Sequence, residues 1–137
     1  MELTLTIQNI NFLSVVVASL SAFAIGSLWY SPLLFSKPWQ KEIGLTDEDI
    51  KSANMPLIFG ASFVLEFIGA LVLDLFIGPQ GTIKTGILIS LLVGFGFVAT
   101  SIGTNYLFGR KSLKLFLIDA GYFLLFFLIM GIILGAW

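Results

Sequence analysis

Two acids stand where an acid is least expected. Glu66 lies near the middle of an apolar stretch at 57–77, and Asp119 lies about two turns into another at 113–137. A charge at mid-bilayer costs at least about 2.5–3.5 kcal/mol on insertion scales, so such an acid must be protonated, paired or wetted. For Glu66 two roles weigh evenly: a carboxylate that takes up a proton or cation, or a neutral acid hydrogen-bonded between helices. Ser62 and Ala70, four residues to either side, and Gly69 give its face small groups suited to close packing. For Asp119 the expected partners are Lys114, Arg110, Lys111 or Asn105, with Tyr122 at the next turn of the same face. A structural lock is favoured there over chemistry. Asp74, near a helix end, is expected to meet water or Lys84.

Other chemistry is thin. The chain has no His and no Cys, which removes imidazole bases, thiolates and the usual zinc and haem ligands. No metal and no cofactor are expected. Ser and Thr hydroxyls have no activating base, so the chain is not expected to be an enzyme. No basic tail or face points to nucleic acid. Gly94-Phe95-Gly96-Phe97-Val98-Ala99 fits a dinucleotide-binding pattern, but no strand–turn–helix unit surrounds it and that reading fails.

The elements that must position these acids follow from hydropathy. Apolar residues make up 58% of 137 and charged ones 11%, against about 25% charged in soluble domains. A fold this small could not hide so much hydrocarbon from water. Four stretches approach the roughly 20 residues that cross a bilayer: 12–35, 57–77, 83–108 and 113–137. In lipid each must be helical, because a lone strand leaves its backbone unpaired. The expected fold is therefore all-α, a single integral membrane bundle of four transmembrane helices over 1–137. A short interfacial helix is expected in the first link: Thr46 caps it, Asp47, Glu48 and Asp49 fill its first turn, and it ends near Asn54. Gly78-Pro79-Gln80-Gly81 reads as a tight turn.

Six cations flank the first and third links (Lys37, Lys41, Lys51, Arg110, Lys111 and Lys114), and Lys84 alone flanks the second. The positive-inside rule then puts the first and third links in the cytoplasm and both termini outside, in a bacterial inner membrane the periplasm. The segment ahead of Phe12 carries Glu2 and no Lys or Arg, so a cleavable leader is not expected.

Helical spacing aligns Ser90, Gly94, Ser101 and Asn105 in a polar seam, with Thr104 adjoining. Ala18, Ala22 and Gly26 form a small-residue stripe, and Gly131 and Gly135 a GxxxG pair, both signs of helix contact. Trp29, Tyr30 and Trp39 read as interfacial aromatics, and Pro32 as a kink near the first helix's end. Trp29, Tyr30, Ser31, Pro32, Tyr106 and Arg110 join Asn105, Asp119 and Tyr122 at one depth, where they either converge on an inward-opening pocket or form an ordinary girdle.

Longer motifs carry a resemblance. Gly26 to Trp39 (GSLWYSPLLFSKPW), Thr104-Asn105-Tyr106-Leu107-Phe108, Ser112 to Leu117, Ala120-Gly121-Tyr122 and the closing Gly131 to Trp137 resemble the bacterial membrane family catalogued as domain of unknown function 1761. That resemblance implies a four-span bundle and no activity. Two positions depart from the family pattern, with Asp119 where Asn is common and Phe123 where His is, so a proton relay through them is not a family-wide property.

The expected function is binding or passage of a small solute or ion through the polar interior, along Glu66, Ser62, Ser101, Asn105, Asp119 and Tyr122. The alternative is a non-catalytic accessory or scaffolding subunit. The expected partners are the lipid bilayer and either further copies of the chain or another membrane protein.

Overall fold

The computed structural model describes residues 7–137; Glu2, which carries the argument about a leader, lies outside them. Among the described residues every regular element is helical. After a 3-10 turn at Ile7–Asn9 come α1 (Phe12–Trp29), α2 (Ser36–Ile43), α3 (Asp47–Ser52) and α4 (Met55–Ile77). Then follow α5 (Ile83–Val93), α6 (Thr100–Phe108) and α7 (Leu113–Ala136). A π-helical segment, Gly94–Ala99, fuses α5 and α6 into one span, Ile83–Phe108. Among the described residues four helices are thus long and apolar enough to cross a membrane.

Short polar residues start each of them. Asn11, Asn54, Thr82 and Ser112 turn a side-chain oxygen back onto free N–H groups of α1, α4, α5 and α7. Thr46 and Asp49 cap α3 reciprocally, Asp49 N–H donating to Thr46 Oγ1 and Thr46 N–H to Asp49 Oδ2. The Thr46 backbone N–H and then its hydroxyl hold the Asp49 carboxyl below its usual range. This contribution is present at neutral pH and fades as pH falls through the lowered value.

The ends differ from expectation in two places. The first span stops at Trp29 rather than at Phe35: Tyr30 N–H donates to Gly26 O and Ser31 N–H to Leu28 O, closing the helix before Pro32 can kink it. At 18 residues α1 still reaches about 27 Å. The first link then holds two short helices, not one, and Pro56 stands in the first turn of α4.

The α6–α7 turn contains a strained residue. Arg110 adopts φ 55°, while its N–H donates to Leu107 O and Lys111 N–H to Tyr106 O. This paired pattern normally places glycine at the left-handed position. Replacing Arg110 with glycine is therefore expected to raise stability by about 0.5–1 kcal/mol, read as a later midpoint in detergent-to-SDS unfolding.

α7 is the hub. Its most apolar window is 44% buried, against 11% for α4, because α1 and α5 pack on either side of it while α4 leans mainly on α1. Glycine permits the closest crossing: a Cβ on Gly86 would overlap the Gly131 carbonyl, and one on Gly135 the Thr82 carbonyl. The Gly131–Gly135 pair therefore serves contact within the chain. Ala18 and Ala22 of α1 are fully buried, with Ala70 of α4, against Tyr122, Phe126 and Met130 of α7.

Candidate functional site

Two helices bring phenols onto Asp119 of a third. Tyr30 stands just past the end of α1 and donates its hydroxyl to Asp119 Oδ1 at 2.7 Å, while Tyr106 of α6 donates to Oδ2. Asp119 is buried. Its partners are therefore two tyrosines, rather than Lys114, Arg110, Lys111 or Asn105. Long basic side chains at a helix end reach outward to the headgroup region, whereas a phenol combines a rigid apolar ring with a polar tip and can point inward.

Aromatic packing holds this cluster. Trp39 of α2 meets the Tyr30 ring edge-on at 5.6 Å, and Tyr122 meets it at 5.3 Å. The Trp29 indole N–H donates to the Ile118 carbonyl of α7 at 3.0 Å, so Trp29 is a helix clamp as well as an interfacial ring. Ser112 Oγ donates to Glu42 Oε2 at 2.6 Å, fastening α2 to the start of α7. Neither the Trp29 clamp nor the Trp39 contact was evident in the sequence; the signal was the density of aromatics over Trp29 to Trp39 at the depth of Asp119.

Glu66 lies in the crevice between α1, α4 and α7, and its surroundings are looser. The Tyr122 hydroxyl is 3.4 Å from Glu66 Oε1 and 3.3 Å from the Ala22 carbonyl. One phenolic proton cannot serve both acceptors fully, and both distances exceed a good O–H···O bond. Glu66 Oε2 is buried with no hydrogen-bond partner. The small-group face holds on one side only: Ala70 is buried, but a Cβ on Gly69 would meet nothing within 4 Å. Gly26 makes room for Tyr122, since a Cβ there would stand 2.8 Å from the phenolic oxygen. The Asp119 and Glu66 centres thus meet through the rings of Tyr30 and Tyr122, without a hydrogen bond between the two phenols.

The remaining candidates are dispersed. Ser90 and Gly94 are buried, but Ser101, Thr104 and Asn105 are exposed, so the polar seam does not run down one face. The π-helical segment Gly94–Ala99 is the physical reason: its wider turn offsets the helix phase by about one residue. Ser101 and Asn105 accordingly lie away from Asp119, and the converging set is Tyr30, Tyr106, Asp119 and Tyr122. Ser62 is half-buried. Ser31 Oγ donates to the Leu28 carbonyl at 2.6 Å, and Pro32 and Arg110 are exposed. Asp74 lies half-buried at the opposite end of the molecule, in a cleft with Asn11 and Ser14.

All the polar atoms at these two centres are oxygens, a set that suits a proton or a hard cation. A family model described as protein of unknown function (DUF1761) matches residues 13–135. No curated protein and no solved structure matches the chain.

Proposed function

The chain belongs to the DUF1761 family, whose description names no activity, and from its own residues we propose that it binds a proton or small cation at Glu66 and passes it toward the Tyr30–Asp119–Tyr106 cluster. One observation carries the reading: Glu66 Oε2 is buried at mid-span with no partner. A carboxyl retained only to tie helices together would have its oxygens satisfied, because an unpaired buried polar group is costly. The Ala22 carbonyl and the Tyr122 hydroxyl beside Oε1 supply two further oxygens for a transient ligand. Asp119, between Tyr30 and Tyr106, supplies the next carboxyl toward the α2–α3 end. The six cations of that end favour its placement in the cytoplasm of a bacterial inner membrane, with both termini outside.

The test is flux across a membrane. Vesicles carrying the purified chain and an internal pH dye are expected to dissipate an imposed proton gradient. Glu66→Gln is expected to slow this at least about tenfold, about 1.4 kcal/mol in the barrier, and Glu66→Asp to retain part of it. Equal rates for the unsubstituted chain and Glu66→Gln would remove Glu66 from the path.

A second reading, an accessory or scaffolding subunit, draws on a different face. Thr100, Ser101, Thr104 and Asn105 are exposed on α6, and Gly60, Gly69 and Gly96 have open space above them. Small and polar groups on a lipid-facing helix suit contact with another helix, from a second copy or a different membrane protein. No flux by the unsubstituted chain, with a partner captured by a thiol crosslinker in Thr104→Cys, would favour this reading.

A further inference from the structure

A groove of about 570 Å³ lies between the α1–α2 connection and the exposed side of α7, and Glu66 is not among the residues that line it. Trp29, Phe35 and Pro38 form one wall, Leu117 and Gly121 line the α7 side, and Lys114 alone among the lining residues is charged. The walls are fixed. The Trp29 indole is pinned to the Ile118 carbonyl, and its ring lies 4.6 Å from that of Phe35. Gly121 lets this indole lie against α7, since a Cβ there would come 3.2 Å from the Trp29 ring.

We propose that this groove is a binding site for an anionic phospholipid, one acyl chain lying along Trp29, Leu117 and Gly121 and the phosphate meeting Lys114. The lining suits hydrocarbon and offers a polar solute almost nothing to bond. A volume of this size falls in the range of specific ligand pockets. Charge selects the headgroup. Lys114 is exposed in the first turn of α7, and Lys37 is exposed one residue before the lining Pro38. Basic side chains at a membrane interface attract anionic lipids, and a rigid apolar slot beside them converts that general attraction into a site. The site is independent of Glu66 and stands whether or not the chain carries an ion.

Trp29 provides the probe. In a chain whose other tryptophans are replaced (Trp39→Phe, Trp137→Phe), Trp29 emission is measured in phosphatidylcholine vesicles containing increasing brominated lipid. Brominated phosphatidylglycerol is expected to quench at about fivefold lower mole fraction than brominated phosphatidylcholine. Lys114→Gln is expected to bring the two curves together. Coincident curves before that substitution would overturn the proposal, as would a preference for phosphatidylglycerol that survives it. A second measurement leaves the sequence unaltered: the full chain, extracted from bilayers of both lipids in equal amounts, is expected to retain phosphatidylglycerol in its mass spectrum. Retention of both lipids in equal amounts would equally sink the site.

Discussion

Gly131→Leu is expected to destabilise the bundle by about 3 kcal/mol or more, the upper end of what overpacking costs. Elsewhere in a core a side chain can rotate away from an inserted methyl, but here the obstacle is largely backbone. A Cβ on Gly131 would overlap Ser90 Oγ and stand 2.5 Å from the Gly86 carbonyl oxygen. Ser90 cannot yield freely, because its hydroxyl is buried and donates to that same carbonyl at 2.5 Å. The only relief is separation of α5 from α7, the helix on which the molecule is built. Gly86→Leu meets the Gly131 carbonyl from the other side and should cost a similar amount. The pair should fall well short of additive, since helices already parted lose little more. Gly96→Leu, at a glycine with nothing within 4 Å, should change stability by no more than about 0.5 kcal/mol. Reversible unfolding in SDS from mild detergent reads all four chains. Equal costs at positions 96 and 131 would show that the close crossing does not hold the fold together.

The same crossing shows what was legible in sequence. Gly131 and Gly135 announced a helix contact, and the caps at Asn11, Asn54, Thr82 and Ser112 are ordinary start signals set before apolar runs. The first span's end was not legible, because Leu33-Leu34-Phe35 continues the hydropathy after the helix has stopped. Hydropathy measures preference for lipid, and Leu33, 83% exposed, satisfies that preference from a turn. The seam of Ser90, Gly94, Ser101 and Asn105 failed for a geometric reason: helical spacing assumes one constant twist, and Gly94–Ala99 changes it. Glycines at 94 and 96 were visible, yet nothing in composition distinguishes a π-helical segment from a flexible stretch of α-helix. For Asp119, pairing by opposite charge pointed to Lys and Arg. Depth decides instead, since Tyr30 and Tyr106 lie at the depth of Asp119 and the cations lie beyond it.

Removing the Asp119 carboxyl is expected to cost about 1–3 kcal/mol, through the two phenols it leaves behind. Hydrogen bonds between membrane helices are worth on average roughly 0.6 kcal/mol each and at most about 1.7, and an unsatisfied buried hydroxyl adds a penalty of its own. Asp119→Leu strands Tyr30 and Tyr106 together. Combining it with Tyr30→Phe and Tyr106→Phe removes the stranded hydroxyls and should recover much of the loss, because an apolar trio of similar shape is tolerated where a broken polar one is not. Strict additivity across that series would mean that the three groups do not act as a unit. Asp119→Asn divides structure from function. An amide keeps one oxygen acceptor and nearly the same shape, so it should cost less than the leucine variant. Because it also cannot exchange a proton as a carboxyl does, it should slow proton flux by far more than its effect on stability explains. If flux in Asp119→Asn merely follows the fraction of folded chain, Asp119 is a lock on the ends of α1, α6 and α7, and the ion path leaves Glu66 by another route.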